Sequence, residues 1–305
     1  MLSVIICTYN PREDYLRRTL ESLRAQDLSP AEWELVLVDN NSTPALQERE
    51  PELVGWHEHG RLVKEDEQGL TAARVRGARE AQGDLIVYVD DDNELATDYL
   101  SQTLAIAAEH PHLGAWGPGV VEGDFETPPR PEVEPYLHLL LINRLERERW
   151  SNVYGDGVNP WGAGLAMRAR VLEAFLSYFE EHRRECLRLG RKGSALLSAE
   201  DHLFLWLATE LGLGKGLFPR LRLVHLIPFN RLEPDYLLRL MHGNMLSLAR
   251  LSAITGFEPK VPHPIMYGLT CLNVWLKKGG FARQMYQARI RGLREGYADA
   301  RDPEA

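Results

Sequence analysis

Short β-branched runs alternate with amphipathic segments through the first half of the chain, a pattern that predicts parallel strands joined by helical crossovers. The runs LSVIICT and WELVLVD read as strands, residues 61–65 as a weak one and 84–90 as another. Between them the spacing of apolar positions predicts helices over 12–26 and 69–81, and a further helix near 95–109 precedes a strand in LGAWGPGVV. Asn10-Pro11-Arg12-Glu13 supplies an N-cap residue, a proline at the first helical position and a nearby glutamate, so the first helix is expected to start there. The proline-rich acidic loop ETPPRPEVEP then marks a change of regime. Beyond it the pattern predicts a helix at about 133–150, the turn YGDGVNPWGAG, a long helix at 168–189, a helix at 199–211 and a strand in RLRLVHL. From Glu233 onward the pattern is helical and amphipathic. The expected organisation is an α/β domain over residues 1–230 and a helical region over 231–305.

Composition narrows the class. At 305 residues and 44% hydrophobic, the chain can bury a large core. A formal net charge of −9 argues against general affinity for nucleic acid or for an anionic membrane. The charge is uneven, however: Lys277 to Arg294 holds six basic residues and no acidic one, interleaved with Phe281, Met285 and Tyr286 and preceded by Trp275. Such a run suits peripheral contact with a membrane surface, a packed helical subdomain, or a homodimer, and the residues alone leave these open. Three widely spaced cysteines, Cys7, Cys186 and Cys271, suggest neither a disulfide framework nor a zinc site, so a reducing cytoplasm is expected. The opening MLSVIICTYNP has no basic lead-in and too short an apolar run for a signal peptide, and no transmembrane helix is expected anywhere.

The candidate chemistry lies where strands end. LIVYVDDDNEL runs an apolar strand into three aspartates, a cluster that needs a cation, hydrogen-bond donors or open water. Alternation along a strand would set Asp90 and Asp92 on one face and Asp91 on the other. Against a nucleotide diphosphate, each carboxylate would meet repulsion of roughly 4 kcal/mol at about 4 Å and an effective dielectric near 20. A bridging divalent cation reverses that sign, and oxygen ligands favour Mg²⁺ or Mn²⁺. The plainer alternative is that Asp92 or Asn93 caps the helix near Leu95. Two earlier strands also end in polar groups, Thr8-Tyr9-Asn10 and Asp39-Asn40-Asn41-Ser42, a repetition that favours a shared site at the carboxyl end of an open sheet. Arg74 and Arg76, near the start of the helix after EDEQ, could meet phosphate or form a solvated basic face.

Five stretches in order, SVIICTYNPREDYLRRTLESL, ELVLVDNNST, EQGLTAARVRGAREAQGDLIVYVDDDNEL, WGAGLAMRARVLE and SAEDHLFLWLA, resemble a family 2 glycosyltransferase of the GT-A fold over roughly residues 1–230. The resemblance implies a Rossmann-like, mainly parallel mixed sheet flanked by helices. It also implies inverting transfer of a sugar from a UDP, GDP or dTDP donor to a saccharide or lipid-linked acceptor, with Mn²⁺ or Mg²⁺, in surface polysaccharide or glycoconjugate synthesis. Thr8, Tyr9 and Asp39 would then hold the nucleoside, with Asn10, Arg74, Asp90 and Asp91 also on the donor. Asp90 and Asp92 would form the Asp-x-Asp element. Asp92 would be the metal ligand, with His225 reaching the metal or diphosphate.

On the acceptor side, Asp201 matches the place where the family's Glu-Asp pair supplies the base, with Glu200 beside it. Read without the resemblance, Ser198-Ala-Glu-Asp201 is equally a capping box that closes a helix. Trp161, beside three small residues, offers a face for sugar stacking or simply fills the core. His225, in an apolar run, has a core reading as well. Two other functions share these residues: a sugar nucleotidyltransferase, which would want a glycine-rich loop that CTYNPRED lacks, and a nucleotide-sugar-binding protein without turnover.

Overall fold

The computed structural model describes residues 1–193 and 195–301. In chain order the elements are β1 Leu2–Thr8, α1 Glu13–Arg24, β2 Trp33–Asp39, α2 Leu46–Arg49, β3 Gly60–Lys64, α3 Leu70–Glu80, β4 Leu85–Asp90, β5 Asn93–Leu95, α4 Tyr99–Glu109 and β6 Leu113–Phe125. They continue with β7 Asn143–Arg144, β8 Arg149–Ser151, β9 Leu165–Arg168, α5 Ala169–Glu181, α6 Arg183–Leu187, α7 Glu200–Glu210, β10 Gly214–Ile227, α8 Pro234–Thr255 and α9 Pro264–Arg301. One sheet takes the order β3-β2-β1-β4-β9-β6-β10-β5, with β7 on β6 and β8 on β10. Its first four strands are parallel, while β9 runs antiparallel to β4 and β6 and β5 antiparallel to β10. The parallel part is what the strand and helix pattern predicts, and the mixed, helix-flanked sheet as a whole is the one the family resemblance implies.

Central parallel strands are covered on both faces and so are apolar throughout. Every residue of β2 is buried, and β1 is buried except at Cys7. Helix α1 packs through Tyr15, Leu16, Leu20 and Leu23, spaced for a single helical face.

The chain forms two compact units. The first contains Met1–Asp124, Ile142–Leu187 and Asp201–Leu226, and holds nearly all of the sheet. The second contains Phe125–Leu141, Arg188–Glu200 and the residues from Ile227 onward. Its α8 and α9 pack around Ala249, Ile290 and Leu293 and are tied by His242 to Glu295 at 2.6 Å and Arg250 to Asp299 at 2.6 Å.

Several local expectations change. Residues 133–150 are not a helix: a 3₁₀ turn at Glu134–Leu140 ends at Leu141, whose φ of 65° is left-handed. The chain then pairs with β6 and β10 as β7 and β8, so strand edges override local helical preference. The expected long helix at 168–189 breaks at His182 into α5 and α6. Asn10 does not cap α1, which starts at Glu13 behind an Arg12 that makes no side-chain cap; Asn10 has φ 45° and serves the neighbouring loop.

Candidate active site

Parallel pairing delivers the polar strand ends to one place. The register sets Thr8 opposite Asp39 and Cys7 opposite Asp90, so the β1, β2 and β4 ends lie side by side. Hydrogen bonds then staple the loops that follow. The Thr8 hydroxyl donates to Asp91, the Asn10 N–H donates to Ser42 Oγ at 2.8 Å, and the Thr43 N–H donates to Asn10 Oδ1 at 2.8 Å. Asp39 is fully buried, and its two oxygens accept from the Ser42 and Leu46 N–H groups at 3.1 and 2.8 Å. Its carboxylate therefore organises the 40–46 loop. Asn40 ties that loop to α3: its Oδ1 accepts from the Gly69 N–H and its Nδ2 donates to Glu67 O. Tyr9, by contrast, is 47% exposed, an aromatic face on the open side of these ends.

The three aspartates do not alternate, because β4 ends at Asp90 and the next two residues form a turn. Each faces a different partner. Asp90 lies 3.7 Å from the guanidinium of Arg74, and Asp91 accepts from Thr8. Asp92 Oδ2 is 3.5 Å from His225 Nε2, while its Oδ1 accepts from Asn93 Nδ2. The helix-cap alternative for Asp92 and Asn93 falls away: residues 93–95 are strand β5, with Asn93 opposite His225, and α4 begins at Tyr99. His225 is thus held beside Asp92 by strand pairing.

Asp92 and His225 offer one carboxylate and one imidazole at a single point. Among the described residues no group of three or more His, Cys, Asp or Glu side chains gathers as a complete ligand set. A partial set of this kind fits a hard cation that completes its shell from phosphate oxygens and water, as Mg²⁺ does in nucleotide sites.

Arg74 and Asp201 both reach Gly162 in the WGAG turn. Arg74 is buried, its guanidinium 5.4 Å from the Tyr88 ring, and it reaches so close to Gly162 that a Cβ there would stand 2.3 Å from Nη2. The Gly162 N–H donates to Asp201 Oδ2 at 3.1 Å. Asp201 Oδ1 accepts from the His202 N–H at 2.8 Å. The capping box does not form, since the Ser198 N–H donates to Ser247 Oγ instead of to Asp201. Trp161, half-buried, adjoins this turn in sequence. Glu200 is buried, with Oε2 accepting from the Ala199 N–H, and belongs to the second compact unit. Arg76 stands apart from Arg74: it is half-buried and pairs with Glu80 on its own helix at 2.8 Å.

Sequence reasoning missed a buried cation behind the turn. Lys215 on β10 is fully buried, and its ammonium donates to Asp156 Oδ1 at 2.7 Å and to Val158 O. Burial holds the Lys215 amine below the usual lysine range, against the pull of Asp156. Burial also pushes the Asp156 carboxyl up, but the bonds from Lys215, Ser151 and the Val158 N–H outweigh it and leave the group below its ordinary value. The pair pins the loop that leads into Trp161. A lysine between two glycines at the start of a strand was the available signal.

The comparisons with known proteins follow this geometry. The family model described as "Glycosyl transferase family 2" matches residues 3–176. EpsH of Bacillus subtilis is 30% identical over 112 residues, which are 37% of this chain and 32% of that protein. The glucosyl-dolichyl phosphate glucuronosyltransferase of Haloferax volcanii is 26% identical over 165 residues, 52% of this chain and 51% of the relative. The chain therefore spans about a third to a half of these curated relatives. Among solved structures, S. aureus TarS 1–349 in complex with UDP-GlcNAc shares the fold at a TM-score of 0.51 and 16% identity, covering 98% of this chain and 91% of TarS.

Proposed function

This chain belongs to glycosyl transferase family 2, and from that premise we propose that it moves a sugar from a nucleoside-diphosphate donor to an acceptor hydroxyl, with inversion at the anomeric carbon. The observation that carries the reading is the register that sets Thr8 against Asp39 and Cys7 against Asp90. It gathers three polar strand ends at the carboxyl edge of the sheet, where open α/β folds bind nucleotides. The S. aureus structure of the same fold holds UDP-GlcNAc, so a uridine donor is the first candidate. The acceptor is a saccharide or a lipid-linked one, in keeping with the dolichyl phosphate named for the Haloferax volcanii relative. Surface polysaccharide or glycoconjugate synthesis is the setting this suggests. Three free cysteines suit a reducing cytoplasm.

In this reading Tyr9 and Asn10 line the nucleoside side, Asp39 acts through the loop it anchors, and Arg74, Asp90 and Asp91 border the diphosphate. Arg74 brings a buried guanidinium, a geometry suited to phosphate oxygens. A divalent cation, Mn²⁺ or Mg²⁺, held by Asp92 with His225 beside it, would supply positive charge at the diphosphate. Asp201 is the base. Its carboxylate takes the acceptor hydroxyl's proton as that oxygen bonds to the anomeric carbon, and the bond from that carbon to the diphosphate breaks with its electron pair. Gly162 and His202 hold the carboxylate through two N–H donors, and Trp161, in the same turn as Gly162, is assigned to the acceptor side.

The test is thermal stabilisation by UDP, GDP, dTDP and CMP, each with and without Mn²⁺. A nucleotide at about a hundred times its dissociation constant adds roughly 2.7 kcal/mol, a readily visible shift. Stabilisation by one diphosphate that requires the metal is expected. Indifference to all four would overturn the donor site.

A further inference from the structure

The first part of α9 is apolar on two opposite sides. Toward the second unit's interior it presents Cys271, buried, with Tyr267 and Val274 half-buried, and Tyr267 stacks on Tyr286 at 5.8 Å. On the outside Ile265, Leu269, Leu272 and Leu276 are 53–68% exposed at spacings of four, three and four residues, one stripe of a helix. Met266 and Trp275 flank it at 55% and 48% exposure. Six of the thirteen exposed large hydrophobics among the described residues thus fall within twelve positions, a concentration that scattered surface residues do not produce.

Charge surrounds this stripe without entering it. Residues 264–276 carry no charged side chain, and Lys277 and Lys278, both exposed, follow at once. From Lys260 to Arg294 there are seven basic residues and no acidic one, in a chain whose formal net charge is −9. Gly279, at φ 87° and ψ −176°, breaks the helix after the lysines, so the stripe and its cationic end form a segment of their own.

We propose that the outer face of residues 264–278 docks on an anionic lipid bilayer, lying in the interface with Lys277 and Lys278 against the headgroups. An apolar face with cations at its border is the composition of an interfacial helix. From Ile265 to Leu276 the stripe is about 17 Å long, too short for a hydrocarbon core of about 30 Å, so it lies on the membrane and does not cross it. Consistently, no helix among the described residues is long and apolar enough to cross a membrane. A second copy of the stripe is a poorer occupant, because the 260–294 window has no carboxylate to meet the lysines that pairing would bring together. The proposal stands apart from the transferase reading, since vesicle binding is measured without donor or turnover.

The experiment is co-sedimentation of the full chain with vesicles of phosphatidylcholine alone or mixed with phosphatidylglycerol, at low and high salt. Binding to the anionic vesicles, weakened by salt, is expected. Lys277→Gln with Lys278→Gln should weaken partitioning roughly thirty-fold, from two charges each contributing about fivefold. Leu272→Glu with Leu276→Glu should reduce it to background. All four side chains are exposed, so melting temperatures should match the parent and separate lost docking from lost folding. Failure to sediment with anionic vesicles at low salt overturns the proposal, and so does binding that both double variants retain. A dimer dissolved by the leucine variant, with no vesicle binding in the parent, would assign the stripe to a second copy and overturn it equally.

Discussion

Replacing Asp201 with asparagine separates the proposed base from its structural surroundings, provided two quantities are read. The carboxylate is 5% exposed and accepts one N–H on each oxygen, from Gly162 at 3.1 Å and from His202 at 2.8 Å. An asparagine keeps one acceptor oxygen and turns a donor NH₂ toward the other N–H. One backbone donor is then unpaired in a buried place, at a cost of about 1–3 kcal/mol. For a unit of this size that is a fall in melting temperature of roughly 2–10 °C. Loss of a general base should separately lower turnover by about a hundred- to ten-thousand-fold. The assay is diphosphate release at saturating donor, paired with the donor-induced rise in melting temperature. Asp201→Asn should retain the rise, because the donor-side groups do not depend on the carboxylate's charge. Turnover within about tenfold of the parent, with donor stabilisation intact, would refute the assignment and leave Asp201 as a clamp on the WGAG turn.

Asp92→Ala and, to a lesser degree, His225→Ala should abolish the part of nucleotide stabilisation that depends on Mn²⁺; an unchanged metal requirement in both would place the cation elsewhere. Gly162→Ala should lower stability by about 1–3 kcal/mol and weaken donor binding, because the new methyl would stand 2.3 Å from Arg74 Nη2 and force that guanidinium off Asp90. Parent-like urea unfolding and donor affinity would contradict this close approach. Asp156→Asn should cost about 2 kcal/mol by leaving the buried Lys215 ammonium without its anion. Because the folded pKa of Asp156 is depressed, its contribution is complete above the unfolded value near 3.9 and drains away as pH falls through the folded one. Melting curves from about pH 6 down to 3 should therefore lose part of their acid slope in the variant, and identical slopes would argue against the pair.

The legibility of this chain follows from how locally each feature is specified. LSVIICT and WELVLVD could be read as central strands because burial on both faces demands apolar residues at every position, and the first helix could be read from its single apolar face. Residues 133–150 misled because their helical spacing competes with free edges on β6 and β10 that only the assembled sheet presents. The capping-box alternative at Ser198 fails for the same reason, since Ser247, far along the chain, supplies the acceptor that the Ser198 N–H actually uses.

At the candidate site, sequence by itself determined which residue types stand at the strand ends, and parallel order made their neighbourhood foreseeable. Alternation could not say where Asp91 and Asp92 point, because the strand stops at Asp90 and a turn has no period of two. Tertiary structure alone decided that Asp91 meets Thr8, that His225 stands beside Asp92, and that Arg74 and Asp201 both close on Gly162. It also decided that Lys215 lies buried against Asp156 and that a stripe of α9 is left facing outward. Each of these joins residues distant along the chain, or sets one face of a helix against the rest of its unit. A local pattern of polarity records what a residue can do, while its partner is chosen by how the layers pack.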